Sequence, residues 1–318
     1  MAFTVSDLND YIIEDPTKIY TTLLFGGKTI GMIGQQPGIK VSESILDMET
    51  TADFQADGGC SYATSGTTTF SDRIITVTPI MVSETLCPKD LEAKILAKLL
   101  KAGAVQEEIP SQLAREIIDR KVAKIQRQLE IAVWQGDTNS GLVNTKRFDG
   151  FLKLIDAASA STTNLTQQAS ISSTTIIGIM DNMYSATSPT ILNDPDFRVF
   201  MGEDTFRILV LKLRDLNLYH YERTDDGKME MIYPGTNMRV VALPGLNADN
   251  NSAALTAYKN RIIGTLTRNL VFGTDLANDF EQFKSWWSDD DQNVKMLCKF
   301  KAGVQIIFPS QISQYKNT

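Results

Sequence analysis

The sequence predicts an α+β protein, because a strand-rich segment precedes a long helix and is followed by a lobe that contains both helices and strands. Residues 47–86 are rich in Thr, Ser, Gly and β-formers, a composition typical of strands joined by turns. Residues 110–136 instead carry apolar residues at helical spacing, and shorter helical and strand patterns alternate after about residue 165. With 318 residues, the chain can form two lobes or one large mixed domain.

The composition is that of a folded, acidic protein. Hydrophobic residues make up 42% and charged residues 22%, which are ordinary values for globular proteins. The net charge of −7 disfavours a general phosphate-binding surface, so we expect no sequence-specific nucleic-acid binding. No stretch approaches the ~18 apolar residues of a membrane span, and the first residues do not resemble a secretion signal. We therefore expect no membrane partner and a cytoplasm-like location.

The residue types that most enzymes and metal sites need are scarce. His220 is the only histidine, which leaves one candidate general base and no zinc-site spacing. No Gly-x-Ser-x-Gly motif presents a nucleophilic serine. The three cysteines are far apart in the sequence, at Cys60, Cys87 and Cys298. We expect no catalytic residue, no metal and no cofactor.

Gly26-Gly27-Lys28-Thr29 resembles the end of a phosphate-binding loop, in which Lys and Thr contact phosphates and magnesium. Thr22 stands where the first glycine of that loop is needed, and Gly31 and Gly34 lie where a helix should begin. The pattern therefore favours a simple turn over a nucleotide site.

The first segments predict an arm and a hairpin. Frequent glycines up to residue 45 are incompatible with long regular elements, which indicates an extended arm. Residues 47–86 predict a long β-hairpin, with turn signals at Gly58-Gly59 and Ser65-Gly66. Its polar tip contains few large apolar groups, so such a hairpin needs another surface for stability.

Two helices are expected next, a short one over 88–103 and a long one over 110–136. The second is about 25 residues long, or nearly 38 Å at ~1.5 Å per residue. The basic residues lie mostly off its apolar stripe, which favours a solvated face over a partner-facing one. The stripe comprises Ile118, Val122, Ile125, Leu129 and Ala132, and the basic set comprises Arg115, Arg120, Lys121, Lys124 and Arg127.

The remaining sequence predicts short elements separated from the long helix by a Ser/Thr-rich link. Helices are expected at 176–186 and 203–216, and strands at 197–201, 239–243, 262–265, 270–272, 294–300 and 304–308. Asp289-Asp290-Asp291 belongs to an acidic segment and lacks the spacing of a calcium loop. Trp286-Trp287, on an extended strand, point to opposite faces, so one indole is left for a neighbouring subunit.

The order of these parts resembles the major capsid protein of tailed double-stranded DNA phages, which has the Hong Kong 97-type fold. The resemblance extends over nearly the whole chain and depends on the order and spacing of short phrases. These are Trp134-Gln135-Gly136-Asp137, Phe148-Asp149-Gly150-Phe151, Met201-Gly202-Glu203-Asp204-Thr205-Phe206, Leu213-Arg214-Asp215, Tyr233-Pro234-Gly235-Thr236, Val240-Val241-Ala242-Leu243-Pro244, Val271-Phe272-Gly273-Thr274-Asp275 and Gly303-Val304-Gln305-Ile306-Ile307-Phe308-Pro309.

The resemblance implies a division of the chain and a structural role. It implies an N-terminal arm over 1–46, an extended loop over 47–86, a peripheral domain with a spine helix over 87–164 and 266–318, and an axial domain over 165–265. It further implies a homo-oligomer of hexamers and pentamers that encloses a genome. A portal and possible scaffolding or decoration proteins are the implied partners.

Two features depart from some members of that family. No charged scaffolding segment precedes the arm, so we expect a separate scaffold or none. Residues 47–86 contain neither Lys nor Asn, which makes an autocatalytic crosslink from this hairpin unexpected.

Two alternatives remain open, an encapsulin-type nanocompartment of the same fold and a soluble α/β enzyme. The enzyme lacks a convergent catalytic set, and the encapsulin is suggested by fold analogy alone. In a shell, the candidate interface residues are Phe54, Phe70, Arg73, Arg120, Lys124, Trp286, Trp287, Asp289, Asp290 and Asp291.

Overall fold

The computed structural model describes residues 23–24, 26–55, 64–87, 111–165, 170–218, 229–247, 258, 260–275, 283–291 and 293–316. The expected helix at 88–103, Cys60 and His220 lie outside them. Within these ranges, no helix is long and apolar enough to cross a membrane. The same ranges contain no cluster of three or more His, Cys, Asp or Glu side chains suited to a metal ion.

The described residues form short strands, one long helix and several shorter helices. The strands are β1 (Gly34–Gln36), β2 (Ser42–Thr51), β3 (Thr67–Thr76), β4 (Thr78–Leu86), β5 (Thr163–Asn164), β6 (Phe197–Gly202), β7 (Glu230–Ile232), β8 (Arg239–Leu243), β9 (Ile262–Leu266), β10 (Leu270–Gly273), β11 (Phe283–Ser288), β12 (Asn293–Ile306) and β13 (Ser313–Tyr315). The helices are α1 (Ser111–Gln135), α2 (Phe151–Ala157), α3 (Ile176–Ala186), α4 (Pro189–Leu192) and α5 (Glu203–Asp215).

The long helix is confirmed, because α1 extends over Ser111–Gln135 against the expected 110–136. All five residues of its expected apolar stripe are buried. Arg120, Lys124 and Arg127 are exposed in the single subunit, and Lys121 is half-buried. The expected α3, α5, β6, β8, β9 and β10 are also confirmed, each within one residue at either end.

A six-stranded sheet of order β5-β13-β9-β6-β8-β7 joins two hydrophobic cores. Because side chains alternate along a strand, its two faces pack against different helices. Val199 and Met201 of β6 belong to the core that contains residues of α3 and α5. Phe200, between them, packs in the other core with Trp134 of α1, the ring centroids being 5.6 Å apart. The sheet is therefore buried on both faces.

A second sheet is organised by the 14-residue strand β12. Its first part is antiparallel to both β4 and β11, and its last part is antiparallel to β10, which in turn pairs in parallel with β1. The strands β2 and β3 form a separate two-stranded hairpin.

The described part of the expected arm over residues 1–46 packs partly into the body. Ile30 and Ile33 are buried in the core that contains α1, and β1 lies in the second sheet. Ser42 begins β2, so the hairpin starts inside the expected arm. Apolar burial explains the difference, because the short apolar patches between glycines find a core surface contributed by distant segments.

The expected hairpin over 47–86 also differs from the structure, because it ends at Thr76. Val77 is buried, and its N–H donates to the Val41 carbonyl at 3.0 Å, which closes the base of the hairpin. The chain then continues as β4, whose alternating Ile80 and Val82 pack against the core that contains α1.

One expectation for the C-terminal segment was wrong. The strands expected at 294–300 and 304–308 are one continuous strand, because Gly303 allows β12 to pass close to Thr76. A Cβ at Gly303 would lie 2.1 Å from the Thr76 carbonyl oxygen. The final strand, Ser313–Tyr315, lies in the six-stranded sheet between β9 and β5, away from the other strands of 266–318.

The close approach at Gly303 gives a stability prediction. Gly303→Ala should lower the free energy of unfolding by about 1–3 kcal/mol, because the methyl group meets backbone that cannot move without disturbing β3 and β12. Gly141→Ala is the matched control, since no atom lies within 4 Å of its added Cβ. Urea unfolding followed by circular dichroism measures both. Equal stability of the two variants would contradict the close passage.

Candidate assembly surface

The hairpin of β2 and β3 has little support from the rest of the subunit. The two strands are antiparallel, with Ser42 opposite Thr76 at the base and Thr51 opposite Thr67 toward the tip. Among the described strands, neither pairs with a third. Isolated two-stranded hairpins are marginally stable in water, so this one needs a further contact.

One face of the hairpin carries an apolar stripe, which we define as Leu46, Met48, Phe70 and Ile74. These residues share a face because Met48 is opposite Phe70 and side chains at i and i+2 point the same way. Their side chains remain exposed, at 67%, 59%, 65% and 58% respectively. The exposed Asp72, opposite Leu46, lies on the same face. Four large exposed apolar side chains on one face indicate an interaction surface.

The opposite face of the hairpin differs in chemistry. It carries Glu43 and Arg73, and its half-buried Ile45 packs against the small core at the base. Phe70 and Arg73, both expected at an interface, therefore lie on opposite faces. Phe54 lies beyond the end of β2 and is fully exposed.

The hairpin is acidic as well as apolar. Between residues 42 and 76 the only basic side chain is Arg73. The acidic residues in that range are Glu43, Asp47, Glu49, Asp53, Asp57 and Asp72. A binding surface for this hairpin should therefore combine apolar and basic groups.

The base of the hairpin is held firmly. Ile39, Ile75, Val77 and Val271 form a small buried core there. Nearby, the buried carboxylate of Asp275 pairs with Lys40 at 2.7 Å and with Lys301 at 2.9 Å. These contacts fix the direction in which the hairpin leaves the body.

A groove of about 520 Å³ lies between α1 and β4. We call it the docking groove and define it by an apolar floor and a basic rim. The floor includes Ile80, Val82, Ile125, Leu129 and Phe300, and the rim includes Arg120, Lys121, Lys124 and Arg147. The structure thus places the two helix residues expected at an interface, Arg120 and Lys124, on one rim.

The electrostatics of the rim are only partly neutralised within the subunit. Lys121 forms an ion pair with Glu84 of β4, and Arg120 pairs with Glu116 one helical turn away at 2.6 Å. The Arg120 pair is exposed on both sides, so its contribution to stability is small. The basic rim therefore remains accessible to an acidic partner.

The other expected interface residues lie at a different edge. Trp286 and Trp287 are in β11, which pairs with β12 on the side opposite β4. Trp286 is exposed, and Asp289, Asp290 and Asp291 form the turn between β11 and β12. A hydrogen bond from Lys295 lowers the pKa of Asp291. This edge is separate from the docking groove.

Sequence reasoning missed most of the stripe and the floor of the groove. A partial signal was present, because Leu46 and Met48 are separated by the polar Asp47, and Phe70 and Ile74 lie an even number of positions apart. The groove carried no such signal, since α1, β4 and the segment near Val143 meet only in the folded chain.

The stripe predicts a contrast in stability between exposed and buried apolar positions. Leu46→Ala should change the free energy of unfolding of the isolated subunit by less than about 0.5 kcal/mol. Ile75→Ala, on the opposite face at the buried base, should lower it by about 2–5 kcal/mol. Urea unfolding at low protein concentration provides the measurement. A large loss for Leu46→Ala would mean that the stripe is covered within the subunit.

The comparisons with known proteins give structural relatives only. No family model matches the sequence, and no curated protein matches it. A chain from the satellite phage P4 procapsid including the size determination (Sid) protein is 11% identical, with a TM-score of 0.62 over 95% of this chain and 90% of that chain. A chain from the capsid of the empty GTA particle is 13% identical, with a TM-score of 0.57 over 91% and 89%.

The capsid of Myoviridae phage XM1 provides a third relative, 13% identical, with a TM-score of 0.52 over 91% of this chain and 90% of that chain. All three similarities cover almost the full length of both chains, so they concern the whole fold. The chain has the Hong Kong 97-type fold of phage major capsid proteins.

Proposed function

We propose that this chain is the major capsid protein of a tailed phage and that many copies form an icosahedral shell around the double-stranded DNA genome. The observation that carries the proposal is the exposed apolar stripe on a hairpin that its own subunit leaves uncovered. The fold supports it, because the structural relatives are capsid chains. The same relatives give no support to an enzyme or an encapsulin.

The stripe and the docking groove are complementary, and we propose that they meet between sister copies. Each large apolar side chain removed from water contributes about 1.5–3 kcal/mol. At ~3.3 Å per residue, the stripe extends about 13 Å from Phe70 to Ile74, which fits within the roughly 20 Å of the β4 side of the groove from Ile80 to Leu86. The acidic hairpin also matches the basic rim, which favours correct docking over random contact.

A contact of hairpin to groove is heterologous, because it joins two different surfaces. Heterologous contacts close into rings when the rotation between copies allows it. We propose that such rings are the hexamers and pentamers of the shell. Small conformational changes at the junctions between the hairpin and the body then allow the same chain to take part in both hexamers and pentamers.

The parts of the fold have corresponding roles in this proposal. The hairpin β2–β3 is the extended loop, and α1 is the spine helix of the peripheral domain. The six-stranded sheet with α3 and α5 is the axial domain. Residues 26–36 lead into the peripheral domain, and Ser313–Tyr315 returns to the axial sheet.

The proposed partners follow from the closed shell. A portal occupies one vertex of the shell. Scaffolding proteins act on the inner surface of the shell, or decoration proteins on its outer surface. The net charge of −7 is consistent with an inner wall that binds DNA weakly and without sequence preference. We place assembly in the host cytoplasm and the finished subunit in the virion capsid, where it acts as a structural protein without catalytic activity.

The stripe gives a direct test of assembly. Met48→Ser combined with Phe70→Ser should leave the subunit folded, because both side chains are exposed, but should prevent shells at concentrations where the unchanged protein forms them. Thr67→Ser, toward the tip of β3, is the control and should assemble normally. Sedimentation velocity and electron microscopy measure the outcome. Normal shells from the double variant, or an unchanged protein that stays monomeric under every assembly condition, would refute the proposal.

The rim of the groove gives a second test, based on charge. Lys124→Glu should weaken assembly severalfold at low salt, because it places a carboxylate where the acidic hairpin docks. The effect should shrink at 1 M salt, where the Debye length falls to about 3 Å. Arg127→Glu makes the same change on the same helix outside the groove lining and should have little effect. Equal effects of the two variants would count against docking at the rim.

A further inference from the structure

The second sheet has one buried face and one face in contact with water. Along β12, Val294, Met296, Cys298 and Phe300 are buried in the core that contains α1. Because side chains alternate along a strand, the residues between them lie on the other face. We call that face the open sheet face and define it by Lys284 and Trp286 of β11 together with Lys295, Leu297, Lys299 and Lys301 of β12.

The middle of the open sheet face is apolar. Trp286 is 42% exposed, and Leu297 is half-buried. In the strand register, Trp286 is opposite Lys295 and Leu297 is opposite Lys284, so the two apolar side chains lie in adjacent rows of the same face. An exposed indole surrounded by charged groups is typical of the centre of a protein interface.

The two ends of the open sheet face carry opposite charges. At one end, the turn between β11 and β12 exposes the three aspartates at 289–291, of which Asp291 pairs with Lys295. At the other end are Lys299, which is exposed, and Lys301, which pairs with the buried Asp275. Within the described part of the chain, Lys299 has no carboxylate at ion-pair distance. One end is therefore acidic and the other basic.

These charged ends are too far apart to neutralise each other within one subunit. From Asn293 to Lys299 the strand extends about 20 Å at ~3.3 Å per residue. This distance is more than twice the Debye length of about 8 Å at physiological ionic strength. Each end can therefore attract an opposite charge on another molecule.

We propose that the open sheet face binds the same face of a second copy about a two-fold axis. The β12 strands of the two copies then run in opposite directions, so the acidic end of each copy faces the basic end of the other. Trp286 of both copies is covered at the centre. Strands that ran in the same direction would place acid on acid and base on base, which costs free energy. The contact is isologous, because both copies use the same surface.

The two-fold contact rests on the proposed function, because its partner is a sister copy. The contact of hairpin to docking groove is heterologous, so by itself it closes rings that remain separate. A two-fold contact joins a copy in one ring to a copy in the next. The two contacts use different strands, β2 and β3 for the hairpin and β11 and β12 for the open sheet face.

The variant that combines Met48→Ser with Phe70→Ser separates the two contacts, because it changes the stripe and leaves the open sheet face intact. Sedimentation equilibrium of this full-length variant should show reversible dimers at low salt. In this background, Lys299→Glu should raise the dissociation constant of the dimer about tenfold, because the two-fold axis uses each position twice. Lys146→Glu makes the same change of charge at an exposed position outside the open sheet face and should leave the constant unchanged.

Two further variants test the charge pattern and the apolar middle separately. Asp290→Lys added to Lys299→Glu exchanges charges between the two ends and should recover most of the lost affinity, because each end again faces an opposite charge. Trp286→Ser removes the central indole and should weaken the dimer at low and at high salt. All three side chains are exposed, so these variants should fold.

A stripe variant that stays monomeric at every concentration would overturn the two-fold contact, even if the unchanged protein forms shells. Equal effects of Lys299→Glu and Lys146→Glu would overturn it as well, since net charge alone would then be responsible. So would the lack of any recovery on addition of Asp290→Lys. Dimers that respond as expected, from a protein that never forms shells, would retain the two-fold contact and refute the proposed function.

Discussion

The apolar stripe of the hairpin is in contact with water in the single subunit. The free energy cost of this exposure is the physical constraint from which the assembly of the protein follows. The body of the subunit buries its apolar side chains on both faces of the six-stranded sheet. The hairpin buries neither its stripe nor Phe54. Because its base is fixed by a small core and by the ion pairs of Asp275, the hairpin cannot easily fold back to hide these residues.

The same architecture connects the exposed surface to the interior. The strand β12 pairs with β4, which forms one wall of the docking groove, and with β10, which lies beside the base of the hairpin. The helix α1 supplies the other wall and also carries Glu130 and Trp134, which both hydrogen-bond to Thr29 in the core.

The sequence predicts the regular elements well where the local pattern is strong. The helix α1 has five apolar residues at helical spacing, and the structure confirms its length and its buried side. The continuous strand β12 was not predicted, because a glycine such as Gly303 usually indicates the end of a strand. Its actual role, to leave room for the Thr76 carbonyl, depends on a contact that the sequence does not show. The burial of Ile30 and Ile33 was missed for a similar reason, since their partners are distant in sequence. Of the expected interface residues, Phe70, Arg120 and Lys124 belong to the stripe and the groove rim, but their partners there come from separate segments.

Cryo-electron microscopy of assembled particles tests the central claim most directly. We expect closed shells in which Leu46, Met48, Phe70 and Ile74 of each copy are covered by the groove between α1 and β4 of another copy. Particles in which these four side chains remain in water, or in which the hairpin lies against its own subunit, would contradict it.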